Sequence, residues 1–186
     1  MSEGSQPAYE IALAHFIVSD DVERSRRFYT EVLGGKTIRS GEPTYVALAN
    51  SWIIINGGGG PTDDKPTVTL ETPRDPDLTS SFLNNRVSDI HAAHAEWSAR
   101  GAEDLTPPKQ HQTEIRCYVR NPDGHLIEVS QTALPGRLAP VPEPLNEGVI
   151  KIWPWNTAAV AGRSQGRRVA PGKAAVQVMN TAIATN

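Results

Sequence analysis

Cysteine is nearly absent from this chain: Cys117 stands alone among 186 residues. One thiol excludes an internal disulfide and any multi-cysteine zinc centre, so a metal site would have to rest on histidine and carboxylate. Long apolar runs are missing as well. No stretch approaches the roughly 18 consecutive apolar residues of a membrane span. Hydrophobic residues make up 38% and charged residues 21%, which excludes both a membrane protein and a wholly disordered chain. Residues 1–6 carry neither a basic start nor an apolar segment, so no secretion signal is read there and a cytoplasmic location is the default expectation. Positive charge is not in excess. A net charge of −3 gives no electrostatic reason to expect nucleic acid as a partner, and nothing points to a membrane. Acidic residues are also absent beyond Glu147. Residues 141–186 hold five basic side chains against two acidic ones, a net +3, which leaves −6 for the rest of the chain.

That imbalance divides the chain. Prolines at 135, 140, 142 and 144 block helix and central strand and favour an extended linker. Residues 134–186 are therefore expected to be a Pro-rich linker and a mobile basic tail. The other reading is that Trp153 and Trp155 dock on the body or on a second subunit, since paired indoles bury a large area.

Residues 8–133 show an internal duplication. Val18-Ser-Asp20 recurs 69 positions later as Val87-Ser-Asp89, each time between a short apolar run and a helical pattern. Val22, Ser25, Arg26, Tyr29, Val32 and Leu33 fall at helical spacing, and Gly34-Gly35 ends the pattern. Ile90, Ala93, His94 and Trp97 do the same before Gly101. Ser19/Asp20 and Ser88/Asp89 are suited to capping the two helices. Strand signals follow at residues 36–39, 44–49 and 52–56, and again at 104–106, 114–120 and 126–131, the last two joined by the turn Asn121-Pro-Asp-Gly124. Each half, residues 8–56 and 81–133, reads β-α-β-β-β. Residues 57–80 connect them, with a small strand expected at 67–71. The four glycines at 57–60 precede no helix and lack a Lys-Ser/Thr, so they form a flexible rim and not a phosphate loop.

The stretch from Leu13 to Gly35 with Phe28-Tyr29 and Leu33-Gly34, the segment Arg86–Ala102, and the stretch from Arg116 to Val129 with Asn121-Pro-Asp-Gly124 and Ile127-Glu128 carry a resemblance. Together they resemble the vicinal oxygen chelate superfamily of glyoxalase I, bleomycin-resistance proteins, extradiol dioxygenases and fosfomycin-resistance proteins. The resemblance implies an α+β fold of two tandem βαβββ modules whose curved sheets form a cup, with helices outside. Enzymatic members hold a divalent metal (Ni, Zn, Fe or Mn) in the cup, where it acts as a Lewis acid on a chelated oxygen. Non-enzymatic members sequester a flat, aromatic or peptidic compound without one. A homodimer is common in the group.

By that resemblance Glu128 occupies the last-strand carboxylate position, with a catalytic and metal-binding role in enzymes; otherwise it is a half-buried carboxylate paired with an arginine. His15 is the candidate first-strand histidine, placed in the cup as the second metal ligand or a ligand contact, with a backbone-bonded core histidine as the alternative. The offset of 69 pairs His15 with Asn84 and Leu13 with Phe82, and the first-module counterpart of Glu128 falls near Ile54. None of these is a strong ligand, so the metal set is incomplete. Alternation then places Phe82, Asn84 and Arg86 inward, with Arg86 able to pair with Glu128 or clamp a ligand anion. Trp52 and Tyr118 are candidates to stack on a flat ligand, or else ordinary core. His91 and His94 are expected outside the cup, His125 in the turn, His111 in a loop at 107–113 able to fold over the cup, and Cys117 as an inert strand residue. Two functions follow. One is binding of a small organic molecule without a complete metal site, for sequestration, resistance or metal-independent chemistry. The other is a metal-dependent enzyme, a glyoxalase I-like lyase or isomerase or an extradiol-type dioxygenase. A weaker third is a degenerate module whose tail mediates assembly.

Overall fold

The computed structural model describes residues 12–132, so the linker and tail expected beyond residue 133, with Trp153 and Trp155, lie outside the described residues. The first module runs β1 (Ala14–Val18), α1 (Val22–Arg27) continuing into a π-helical turn (Phe28–Val32), then β2 (Lys36–Arg39), β3 (Thr44–Leu48) and β4 (Ser51–Asn56). The second runs β5 (Leu83–Arg86), α2 (Ile90–Ala99), β6 (Glu103–Gln110), β7 (Glu114–Arg120) and β8 (Leu126–Thr132). Each module makes one four-stranded sheet, ordered β1-β4-β3-β2 and β5-β8-β7-β6. In both, the first strand lies parallel to the last and the remaining pairs are antiparallel. The fold is α+β, two βαβββ repeats with curved sheets that do not close into a barrel. Among the described residues no helix is long and apolar enough to cross a membrane.

One face of each sheet is covered by helix. Ile17, Val46, Ile53 and Ile55 pack with Phe28, Tyr29, Val32 and Leu33, and the same cluster takes in Val119 and Ile127 of the second sheet. Ile90, Cys117 and Val129 form a smaller neighbouring cluster. Full burial of each large aliphatic side chain stabilises by about 1.5–3 kcal/mol, so this shared face joins the modules into one body. Gly35 is part of the fit. A Cβ there would come within 2.7 Å of the Tyr29 carbonyl oxygen and of Val46 Cγ1.

Three local expectations are corrected. The cap of α1 is Asp21, whose side chain accepts from the Arg24 N–H at 2.9 Å, and not Ser19 or Asp20. Asp89 caps α2 as expected, accepting from the Ala92 N–H. The segment at 67–71 contributes only an isolated bridge, Gly59 to Leu70. The strand expected at 104–106 extends to Gln110 through Pro107 and Pro108. It is tolerated because β6 is the edge strand of its sheet, where a missing N–H is not missed. The supposed loop over the cup thereby shrinks to residues 111–113.

The turn between β7 and β8 ties the modules together. The Asn121 side-chain oxygen accepts from the Asp123 and His125 N–H groups and shapes the turn. It aims the fully buried Asp123 carboxylate at the start of α1, where the Asp20 N–H, the Arg24 guanidinium and the Ser25 hydroxyl donate to it. His125 Nε2 lies 2.7 Å from the Val18 carbonyl oxygen, and an N–H there donates across the same junction. Burial alone would raise the Asp123 pKa, but the hydrogen bonds from Ser25, Ser19, the Asp20 N–H and Arg24 outweigh it and hold the carboxyl below its usual value. The stability it contributes is therefore present above the unfolded carboxylate pKa and lost as pH falls through the lowered folded one. Asp123→Ala is expected to cost about 3 kcal/mol, because Arg24 and two further donors lose their acceptor. Urea unfolding measures this, and a loss below roughly 0.5 kcal/mol would be that of an ordinary surface change.

Candidate functional site

The face of the second sheet opposite its helix gathers most of the candidate residues. Asn84 pairs with Glu128 across β5 and β8, and Tyr118 pairs with Glu128 across β7 and β8, so all three side chains share that face. Arg86, Arg116 and Ser130 form the next row, and Phe82 precedes Asn84 by two residues. The structure thus brings together Phe82, Asn84, Arg86, Tyr118 and Glu128.

Glu128 is the centre of this group and is 6% exposed. Asn84 Nδ2 donates to Oε1 at 2.5 Å, and Tyr118 Oη donates to Oε2 at 2.7 Å. Ser130 Oγ in turn donates to Asn84 Oδ1 at 3.2 Å. Each carboxylate oxygen therefore accepts from a neutral donor, and among the described residues no arginine pairs with Glu128. Arg86 instead lies 3.6 Å from Glu114 and donates to Thr132, one row along the strand. The hydrogen bond to Glu128 and burial together raise the Tyr118 hydroxyl pKa, so Tyr118 remains a neutral donor. Phe82 meets Tyr118 edge to face with ring centroids 6.3 Å apart, and Phe82 is 44% exposed. An exposed aromatic edge therefore sits beside a buried polar network.

Beside this row lies a pocket of about 270 Å³ lined by Pro76, Asp77, Thr79, Leu105, Tyr118, Arg120 and Leu126. Three of these residues belong to the connection between the modules. No sequence signal marked them, because a residue's place over a sheet face is a tertiary fact.

His15 is placed differently from the expectation. It pairs with Ile53 across β1 and β4, on the face of Ile17 and Ile55, which are buried against the helix. The open face of the first sheet instead carries Phe16, Trp52 and Ile54. The cause is a one-residue error in the repeat offset. The helix caps Asp21 and Asp89 stand 68 apart, not 69. Phe16, not His15, is then the counterpart of Asn84, and its neighbour Ile54 that of Glu128. A slip of one residue exchanges the two faces of a strand. Phe16 was accordingly missed, although the alternation Phe16, Val18 against His15, Ile17 was available to reveal it.

The residues present do not fit the metal that the resemblance implied. His15 faces the helix-packed side of its sheet while Glu128 faces the open side of the other, with both oxygens engaged. Among the described residues no three His, Cys, Asp or Glu side chains are grouped to hold a metal ion. The other histidines do not supply a set. His94 lies on α2, 3.5 Å from Asp104; His125 is bonded to Val18, and His91 and His111 are exposed. Cys117 is buried and free, and burial pushes its thiol up to about 11, which keeps it protonated and inert.

A family model described as the Glyoxalase/Bleomycin resistance protein/Dioxygenase superfamily matches residues 12–129, and the chain belongs to that superfamily. Solved structures share the fold. TioX from Micromonospora sp. ML1 is 18% identical with a TM-score of 0.53, over 66% of this chain and 98% of that one. A glyoxalase/bleomycin resistance protein/dioxygenase from Nocardioides is 21% identical with a TM-score of 0.54, over 72% and 92%. TnmS3, an antibiotic binding protein from Streptomyces sp. CB03234, is 18% identical with a TM-score of 0.50, over 69% and 100%. A search of curated proteins finds no match.

The position of His15 has a measurable consequence. Burial, and secondarily the charge of His125, lower its pKa from the usual 6.5. A base held neutral by the fold takes up a proton more readily when unfolded. Its stabilising contribution is thus complete above the unfolded pKa and is lost as pH falls below it. Unfolding free energy is expected to fall between about pH 7 and pH 5, and His15→Leu to flatten part of that slope. An unchanged slope in the variant would place its origin elsewhere.

Proposed function

We propose that this protein binds a small organic molecule on the open face of its second sheet, without a complete metal centre, and serves to sequester it or to act on it without a metal. The observation that carries the reading is the state of Glu128. The side chain at the superfamily's carboxylate position is buried, and each of its oxygens already accepts a hydrogen bond, one from Asn84 and one from Tyr118. A carboxylate so engaged serves as a fixed anchor. It holds the Tyr118 ring in one orientation, so that ring and Phe82 offer a preorganised aromatic wall with little side-chain entropy left to lose on binding. Arg86, already shared with Glu114 and half-exposed, supplies polar contact at the rim. The fold shared with TnmS3, an antibiotic binding protein, is consistent with such a role and extends to the fold alone.

The full chain purified without chelator is expected to carry no stoichiometric Ni, Zn, Fe or Mn by mass spectrometry. It should bind members of a panel of planar organic compounds saturably in calorimetry, with Phe82→Ala weakening the bound members by about tenfold, or 1.4 kcal/mol. One equivalent of metal, retained by the protein and lost in Glu128→Ala, overturns the reading. So does a panel in which nothing binds.

A further inference from the structure

The pocket beside Tyr118 is a cleft open to solvent, with a partial roof, a floor and a clasp. Pro76, Asp77 and Thr79 of the connection between modules form the roof, and Leu105, Tyr118 and Leu126 form the floor. The clasp is Arg120. Its guanidinium is mostly buried; Nη2 is paired with Asp77 and lies 3.4 Å from the Pro76 carbonyl oxygen, and Nη1 lies 3.7 Å from Glu103. Gly124 completes the seat of the roof: its φ is +86°, and a Cβ there would come within 3.0 Å of Pro76. Leu105 reaches the pocket from a register irregularity in β6 between Asp104 and Thr106. Such a bulge re-aims a side chain that regular alternation would turn elsewhere.

Size and charge select what this space accepts. Its volume of about 270 Å³ exceeds the roughly 150 Å³ that an apolar cavity needs to hold a single benzene ring. It falls just short of the ~300 Å³ at which pockets for whole drug-sized ligands begin. Two fused rings match it. The floor is apolar apart from the Tyr118 hydroxyl, which is committed to Glu128. Among the described lining residues the cation is Arg120, which is already shared between Asp77 and Glu103, so an anion entering here meets the Asp77 carboxylate while Arg120 is engaged.

Resting on the binding function proposed above, we infer that the pocket between the connection and the second sheet is the subsite for a neutral bicyclic aromatic group of the ligand. Tyr118 is the wall it shares with the exposed face around Phe82. The connection between the modules is thereby a specificity element: Pro76, Asp77 and Thr79 supply one side of the subsite, and Arg120 holds Pro76 and Asp77 in place.

The test uses the full chain and two probes of equal ring size, 2-naphthol (neutral at pH 7) and 2-naphthalenesulfonate. Methyl NMR of the wild-type protein is expected to show saturable ring-current shifts at the Leu105 and Leu126 methyls with 2-naphthol. The sulfonate should bind at least tenfold more weakly. Thr79→Trp, on the exposed roof, should weaken 2-naphthol by at least tenfold by filling the space. Shifts confined to other methyls, such as those of Ile54 on the first sheet, overturn the subsite and leave the binding function standing. Equal affinity for the two probes overturns the charge selection, and unchanged 2-naphthol affinity in Thr79→Trp overturns the role of the connection. No shift with 2-naphthol, while larger planar compounds still bind in calorimetry, overturns the subsite alone; no binding of any compound overturns both.

Discussion

A strand has two faces and a helix covers one of them; the rest of this structure follows from which residues fall on the covered side. The phase is set where each helix begins. Asp21 and Asp89 accept the first free N–H groups of α1 and α2, and this fixes where the preceding strand ends and which way its last side chains point. From Asp21 back, Ile17 and His15 fall against the helix and Phe16 falls on the open side. From Asp89 back, Asn84 and Arg86 fall on the open side. Two residues separate strand from cap in both modules, 19 and 20 in the first and 87 and 88 in the second, so the phase is the same in each. The modules differ in the residue each phase finds: His15 stands six positions before its cap, on the covered side, and Asn84 five before its own, on the open side.

The second module contains two buried carboxylates five residues apart, and their partners separate their tasks. Asp123 receives a guanidinium, a hydroxyl and a backbone N–H, all from the start of α1, and joins the modules. Glu128 receives an amide and a phenol from strands of its own sheet and orders the open face. A buried carboxylate is costly without donors, and each of these has enough to offset that cost. Their difference lies in where the donors come from. Donors from another element make a tie; donors from neighbouring strands make a rigid surface.

The two open faces are chemically unlike. Phe16, Trp52 and Ile54 stand on the first sheet, while Asn84, Tyr118, Glu128, Arg86 and Arg116 stand on the second. Duplication has kept the backbone plan, with the same strand order in both halves, and has let the side chains diverge. This is how one fold serves a superfamily of many chemistries: helices and hydrogen-bond ladders occupy the covered face, and the open face is free to vary.

Much of the architecture was legible without coordinates. Helical spacing in Val22–Leu33, the Asn121–Gly124 turn and short β-rich runs sufficed for two βαβββ units, because local periodicity and turn chemistry are written in neighbouring residues. That Phe82, Asn84 and Arg86 share a face was legible too, since period-two alternation carries it, but the offset that made this the inward face was miscounted by one residue, and only the strand pairing sets Tyr118 and Glu128 beside them. The place of His15 was not, because a repeat offset counted from similar letters was one residue from the offset counted between helix caps. The partner of Arg86 was not either: Glu114 and Glu128 are both carboxylates, and only the register puts the first within reach. The sequence by itself determined which segments become strand and helix and where they stop. The tertiary structure alone decided which face each residue shows, what Glu128 bonds to and what lies over Tyr118, because these depend on pairings between residues far apart in the chain.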